Sequence, residues 1–372
     1  MRRNANRSTA RRVRAALSTA VAVCAVTAVL PAAASAEPTA VAGSLGAGVE
    51  RISVTADGTL ADDNSAGASI TSDGRHVVFS SSAQNLTPGG TTGRDRVYVR
   101  DQRTGQFKRM GDLTPLQPPV ISGDGEYVAY TVKWMRDVRV RQYQVSTGST
   151  ASANCSAYSC NQPSLSADGQ HTALAILIKR PSLPEHQTIE VQDWNTGGTK
   201  ATVAEFDHTY PSRPSISGDG RYVAYQDGEA NEVFVWDRTS GTTSGPIEDS
   251  SERASLVQLS KDGSKVVYLS GSDTYVYDVR SGTAQLVPNV RGVAIDPTGR
   301  YLLYAPNDTN GPSLTLRDLQ TGTDTIVSNQ PASAETDAVS AGGHDVVFQS
   351  TAGDIVPGDT HGKSHIYVRH FS

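Results

Sequence analysis

Basic charge is in short supply in this chain, and so are cysteine and long apolar runs. Lysine and arginine total 33 against 38 acidic residues, a formal net charge of −5. Arg2, Arg3, Arg7, Arg11, Arg12 and Arg14 crowd the start of the chain. Without those six the balance falls to about −11. That excludes a nucleic-acid partner, which needs a concentrated basic face. Proteins, peptides, glycans and cations stay open as partners. Catalytic signatures are missing too. There is no G-x-S-x-G and no H-E-x-x-H, which excludes the propeller-plus-hydrolase arrangement and a helix-borne zinc site. Gly358 to Ser364 imitates a phosphate loop but has three residues between its glycines, and it joins two expected strands. No cofactor is expected.

Cysteine occurs three times, at Cys24, Cys155 and Cys160. Cys24 lies in an apolar run, Ala15 to Leu30, which follows the arginines and precedes Ala34-Ser35-Ala36. A basic start, a short apolar stretch and an A-x-A site make residues 1–36 a signal peptide. The run is too short and alanine-rich for a membrane span. The product is therefore expected to be exported, extracellular or in the cell envelope, and free of a membrane span. Arg11-Arg12 raises twin-arginine export beside the general route, although Val13-Arg14-Ala15 fits that signal poorly. Residues 37–47 read as a flexible leader and 48–372 as one domain. Cys155 and Cys160, an even pair in an exported chain, are expected to form a disulfide that holds one loop. Their C-x-x-x-x-C spacing is not that of a redox motif.

What the chain has in abundance is repetition. Ile70-Thr-Ser-Asp-Gly-Arg-His-Val-Val-Phe79 returns from Ile121, Leu165, Ile216 and Leu259, and more loosely from Ile295 and Val339. The turn glycines stand at 74, 125, 169, 220, 263, 299 and 343, separated by 51, 44, 51, 43, 36 and 44 residues. A period of about 45 with four strands per unit is propeller arithmetic. In each unit a first strand ends at Asp-Gly, read as a tight hairpin turn. A wholly apolar second strand follows, then an alternating third strand such as Val233-Phe-Val-Trp-Asp237. A second turn, Asp-x-x-[ST]-Gly, precedes the fourth strand, with its Asp accepting amide hydrogen bonds and its Gly left-handed.

The last unit stops after its third strand, Ile366 to Arg369, so Val49 to Val54 is expected to supply the fourth and close the ring. The fold class is thus all-β: a single β-propeller of about seven four-stranded blades, with six or eight as alternatives, expected to be a monomer. The P-x-[IL]-S-x-D-G-x-x-[VA]-[AV]-[YF] units resemble the WD40-like repeats of TolB-type propellers over residues 48–372. That resemblance implies the fold and carries no catalytic residues. The family's namesake is a protein-binding propeller of the cell envelope with an extra N-terminal domain. The stretch from Ala36 to Val49 has no room for that domain, so its partner is not carried across.

Candidate functional residues come from the face bearing the second-to-third-strand and inter-blade loops, around the channel mouth. They are Asp62, Asp63, Trp134, Arg136, Tyr158, His208, Tyr210 and Arg213. Aromatic and arginine side chains on loops suit peptide or sugar recognition. The plain alternative is that any propeller has polar loops with scattered aromatics. His76 and His171 fill a slot held elsewhere by Tyr127 and Tyr222, and read as blade packing. His365 and His370 are expected on opposite sides of their strand, which argues against a metal site with His361. Asn85 to Gly93 and Asp354 to Gly362 are near-copies, read as Ω-like loops. Asp354 and Asp359 make the second a weak calcium candidate. Three functions follow: an exported binding or scaffold protein for protein, peptide or cell-wall glycan; a glycan lyase or hydrolase using Asp62, Asp63, His208 and Arg213 at the channel mouth; or a purely structural surface protein.

Overall fold

The computed structural model describes residues 48–89, 93–155, 159–178, 186–208, 213–248, 253–308, 311–358 and 360–371. The expected signal peptide and leader lie outside them. The described strands form seven antiparallel sheets, one per repeat, so the blade number is seven. Six sheets have four strands in chain order. The first blade, for example, runs Ser65–Ile70, His76–Ser81, Arg96–Asp101 and Phe107–Arg109. The seventh pairs Asp345–Ser350 with His365–His370, and the latter with Val49–Arg51. Val49 lies opposite Arg369 and Arg51 opposite Tyr367, so the ring closes as the truncated last repeat required. A bridge between Val339 and Val346 stands in for this blade's first strand. Among the described residues no helix is long and apolar enough to cross a membrane.

The apolar cores sit between blades, because each second strand is buried on both faces. Val78, Val97 and Val99 of blade one pack on Ile121, Val128 and Tyr130 of blade two. The same pattern joins blades three and four through Ile189, Val191, Ile216 and Val223. Each such side chain contributes about 1.5–3 kcal/mol of burial. In blades one, two, four, five and seven the aromatic that ends the repeat motif meets one on the third strand: Tyr225 stacks on Phe234 at 5.4 Å, and Tyr268 on Tyr275 at 5.2 Å.

The Asp-Gly turn differs from a two-residue hairpin. It is a wider loop held shut by side chains. In blade four Ser217 Oγ donates to Asp219 (2.6 Å) and accepts the Tyr222 amide (2.9 Å), while Asp219 accepts the Arg221 amide (2.9 Å). Blades one, two, three and five repeat this set. The loops also bond to one another around the ring. Ser72 N donates to Gly123 O, Asp124 N to Ala167 O, Ala167 N to Gly218 O, Gly218 N to Lys261 O, and Asp262 N to Pro297 O. Gly342 N reaches Asp296 and Ala341 N returns to Ser72 O. One circle of hydrogen bonds thus runs through all seven blades.

The slot residues pack as expected. A Cβ on Gly125 would lie 2.6 Å from the His76 ring, and one on Gly220 2.8 Å from His171. Only glycine lets each turn sit on the preceding blade. The Asp-x-x-[ST]-Gly turns also follow expectation: Asp237 accepts the Thr239 amide at 2.9 Å and Gly241 has φ +70°. Arg221 grips the same carboxylate with two N–H groups (3.0 and 2.7 Å). Cys155 and Cys160 are joined in a buried disulfide at a Cα separation of 5.9 Å.

Candidate ligand site at the channel mouth

Towards the loop face, the innermost strands stop being regular. Register skips between Ala66 and Ser69 in blade one, Asn161 and Ser164 in blade three, Leu256 and Gln258 in blade five, and Gly292 and Ala294 in blade six. Each skip is a bulge, which bends its strand and re-aims side chains. Gly67, Gln162, Arg213 and Asp337 take φ of +67°, +53°, +37° and +57°. Three of these are not glycine, and such backbone costs of order 1 kcal/mol or more each.

Glutamine side chains saturate the exposed backbone. Gln117 accepts the Gln162 amide (3.3 Å), and Gln162 accepts the Arg213 amide (3.1 Å). Gln226 accepts Leu256 N (3.2 Å), and Gln349 accepts Gly67 N (2.7 Å). Gln258 accepts both Ile295 N (3.1 Å) and Asp337 N (3.2 Å), and donates to the Asp337 carboxylate (2.8 Å). Below them Lys261 crosses the channel. Its Nζ lies 3.1 Å from Leu165 O in blade three and 3.4 Å from Asp337 in blade seven. A salt-bridged cation therefore links blades three, five and seven across the axis.

Two charges at this mouth stand out. Burial pushes the Glu335 carboxyl above its ordinary range, and the Arg213 charge only partly opposes that. Among the described residues no hydrogen bond or ion pair reaches the Glu335 carboxylate or the Arg213 guanidinium. A desolvated carboxyl near an arginine can hold a proton, accept one, or pair with a ligand of either sign.

Of the residues expected from sequence, Arg213 is the one on this ring. Asp62 accepts the Gln84 amide at 2.7 Å, tying down the approach to blade one. Asp63 pairs with Lys363 at 2.8 Å, which holds its carboxyl below the usual range. His208 Nε2 lies 2.9 Å from Asp227, and its ring lies 5.0 Å from that of Phe206. Trp134 and Arg136 stand apart, at the hairpin tip of blade two. Tyr158 and Tyr210 lie outside the described residues. Asp354 accepts from Gln330 at 2.6 Å, while Asp359 also lies outside. Among the described residues, no three His, Cys, Asp or Glu side chains are grouped to hold a metal ion. Buried His365 bonds Ser53 at 3.0 Å and His370 bonds Asp345 at 2.6 Å, each on its own side.

Gln117, Gln162, Gln258, Lys261, Glu335 and Asp337 escaped the sequence reading. One cue was present. Gln162 and Arg213 each precede the proline that opens a P-x-[IL]-S unit, and proline bars its predecessor from right-handed helical backbone.

No family model and no curated protein matches the chain. Solved structures do. An oligogalacturonate lyase in complex with manganese aligns at TM-score 0.64 and 14% identity, over 87% of this chain and 93% of that one. The oligogalacturonate lyase of Vibrio parahaemolyticus aligns at 0.64 and 13%, with the same coverage. TolB from Acinetobacter baumannii aligns more loosely, at 0.44 and 16%, over 74% of this chain and 76% of that one. At these identities the two lyases share the propeller fold with this chain and nothing finer.

Proposed function

We propose that the chain is an exported binding or scaffold propeller that holds a protein, peptide or cell-wall glycan at the channel mouth without altering it. Export rests on the basic, apolar and A-x-A segments of residues 1–36, leaving 48–372 as the working domain. The P-x-[IL]-S-x-D-G repeats of that domain resemble those of the TolB-type propellers. The observation that carries binding over catalysis is the floor of the mouth. Lys261 and Gln258 tie blades three, five, six and seven together there, so a ligand meets polar side chains already fixed by one another. Of the acid–base candidates, Asp63 and His208 are already paired with neighbouring side chains, and Asp62 holds a backbone amide. The test is a thermal-shift screen of purified residues 37–372 against wall glycans and peptides, with product analysis. A ligand that binds only the folded state adds about 2.7 kcal/mol at a hundred times its dissociation constant. A shift that Arg213→Gln removes, with the ligand recovered intact, is the expected result. A shift left unchanged by Arg213→Gln rejects the site.

Glu335 favours a second reading, a glycan lyase or hydrolase. A carboxyl raised by burial is suited to taking a proton, and Arg213 to neutralising substrate charge. The two structural neighbours named as oligogalacturonate lyases make oligogalacturonate the first substrate to offer. Consumption that Glu335→Gln abolishes would replace the binding reading with this one.

A further inference from the structure

Blade two carries a raised hairpin with large apolar side chains exposed at its tip. Its second and third strands, Tyr127–Trp134 and Asp137–Gln144, have eight residues each, as do those of blade three, against six in the second strands of blades one, four and five. The extra length lifts the hairpin about 7 Å beyond those blades. At its tip Met135 is 85% exposed and holds φ +56°, a strained setting for an unbranched apolar side chain. Trp134 beside it is 45% exposed. Leu116, 50% exposed, is anchored to the same hairpin through its amide on Thr131 O. Three large apolar side chains are thus presented to solvent on one blade.

The charge here runs against the chain's acidic balance. Residues 133–141 hold Lys133, Arg136, Arg139 and Arg141 against Asp137 alone. Asp137 pairs with Arg139 at 3.1 Å. Arg141 lies over the Trp134 ring at 5.0 Å, and its Nε is buried without a hydrogen-bond partner among the described residues. Both side chains line a cleft of about 280 Å³ whose far wall is Ser152 to Cys155. The disulfide fixes that wall at Cys155. Tryptophan, methionine and arginine are the residues that anchor protein interfaces.

We infer that this hairpin and cleft form a docking site for an acidic peptide segment of a partner protein. An apolar side chain of the segment packs against Trp134 and Met135. A neighbouring carboxylate completes the hydrogen bonding of Arg141 in the cleft. The site is independent of the channel mouth, and neither reading depends on the other.

The test is binding of purified residues 37–372 to a fluorescent array of twelve-residue peptides rich in Asp and Glu, each with one Leu or Phe. Lysine-substituted copies and a free oligouronate serve as comparators. Saturable binding of acidic members is expected, weakened several-fold between low and high salt. Trp134→Ala is expected to weaken it at least about tenfold, and Arg141→Gln by about fivefold. Leu286→Ala, an exposed apolar residue of blade five, is expected to leave it unchanged. Melting temperatures matching the parent would show that each variant folds. No saturable acidic peptide, equal binding of the lysine copies, or binding indifferent to Trp134→Ala would overturn the inference. Binding of the oligouronate alone would overturn it in favour of an anionic saccharide.

Discussion

The two faces of the ring are built from the same repeats, yet they treat their backbone in opposite ways. On the turn face the Ser/Thr-x-Asp-Gly loops of blades one to five satisfy their own amides, Asp296 and Ser340 serve blades six and seven, and bonds between successive loops close through all seven. On the loop face the inner strands bulge, three non-glycine residues sit at positive φ, and saturation falls to glutamines of varied position. The regular face suits stability and the irregular one suits recognition, because a ligand needs side chains that the fold has not already committed.

The turn face is most open to disruption at Gly218. A Cβ there would lie 2.9 Å from Lys261 O and 3.2 Å from the Ala167 Cβ, so Gly218→Ala forces two blades apart. We expect a loss of about 2 kcal/mol by denaturant unfolding. A smaller loss, about 1 kcal/mol, is expected for Ser217→Ala, which removes one donor and one acceptor from its turn. If either variant unfolds no more easily than the parent, the turn-face circle does not hold the ring.

Acid should separate the faces by sign. Arg221 holds Asp237 down to about 2, and Lys265 does the same for Asp278, against an ordinary 3.8. These carboxylates favour the folded state when ionised. Their contribution is therefore complete above about pH 4 and drains away as pH falls towards about 2. Asp237→Asn with Asp278→Asn should flatten the stability profile across that window. Glu335 runs the other way. Its carboxyl is raised above an ordinary 4.5, so its stabilising form is the protonated one, present below that value and lost as pH rises. Glu335→Gln is accordingly the mildest change, with a melting temperature higher by about a degree or two at neutral pH. That gain should vanish in acid, and a fall in melting temperature would show that the carboxylate has a structural partner.

The turn face was the legible one. Asp-Gly at fixed phase, an apolar second strand and the Asp-x-x-[ST]-Gly turn are local patterns, and they placed the blades and the packing of His76 and His171, while the closing strand expected over Val49 to Val54 forms at Val49–Arg51. Tertiary packing altered only the turn's form, from a two-residue hairpin to a side-chain-clamped loop. The loop face was mostly illegible. A bulge changes register without changing composition, so nothing in Gln162 or Asp337 announced a left-handed backbone. Lys261 differs from its repeat counterparts, Ser72, Gly123 and Gly218, but only the ring's diameter decides that its ammonium reaches blade seven. Arg213 was found as one loop arginine among several, without its place on the bulge ring.

Arg51, buried against Tyr367 and bonded to its hydroxyl at 3.2 Å, joins positions 316 residues apart. Hairpins within a blade can form as soon as their strands exist, but this contact waits for nearly the whole chain. Chain made from the N-terminus delivers Val49–Arg51 first and keeps it unpaired until residues 367–369 appear. The entropy of closing so long a loop grows only logarithmically, about 0.6 kcal/mol per doubling, so the cost of the wait is chiefly kinetic. Until residues 367–369 are made, the Val49–Arg51 strand keeps a bare edge.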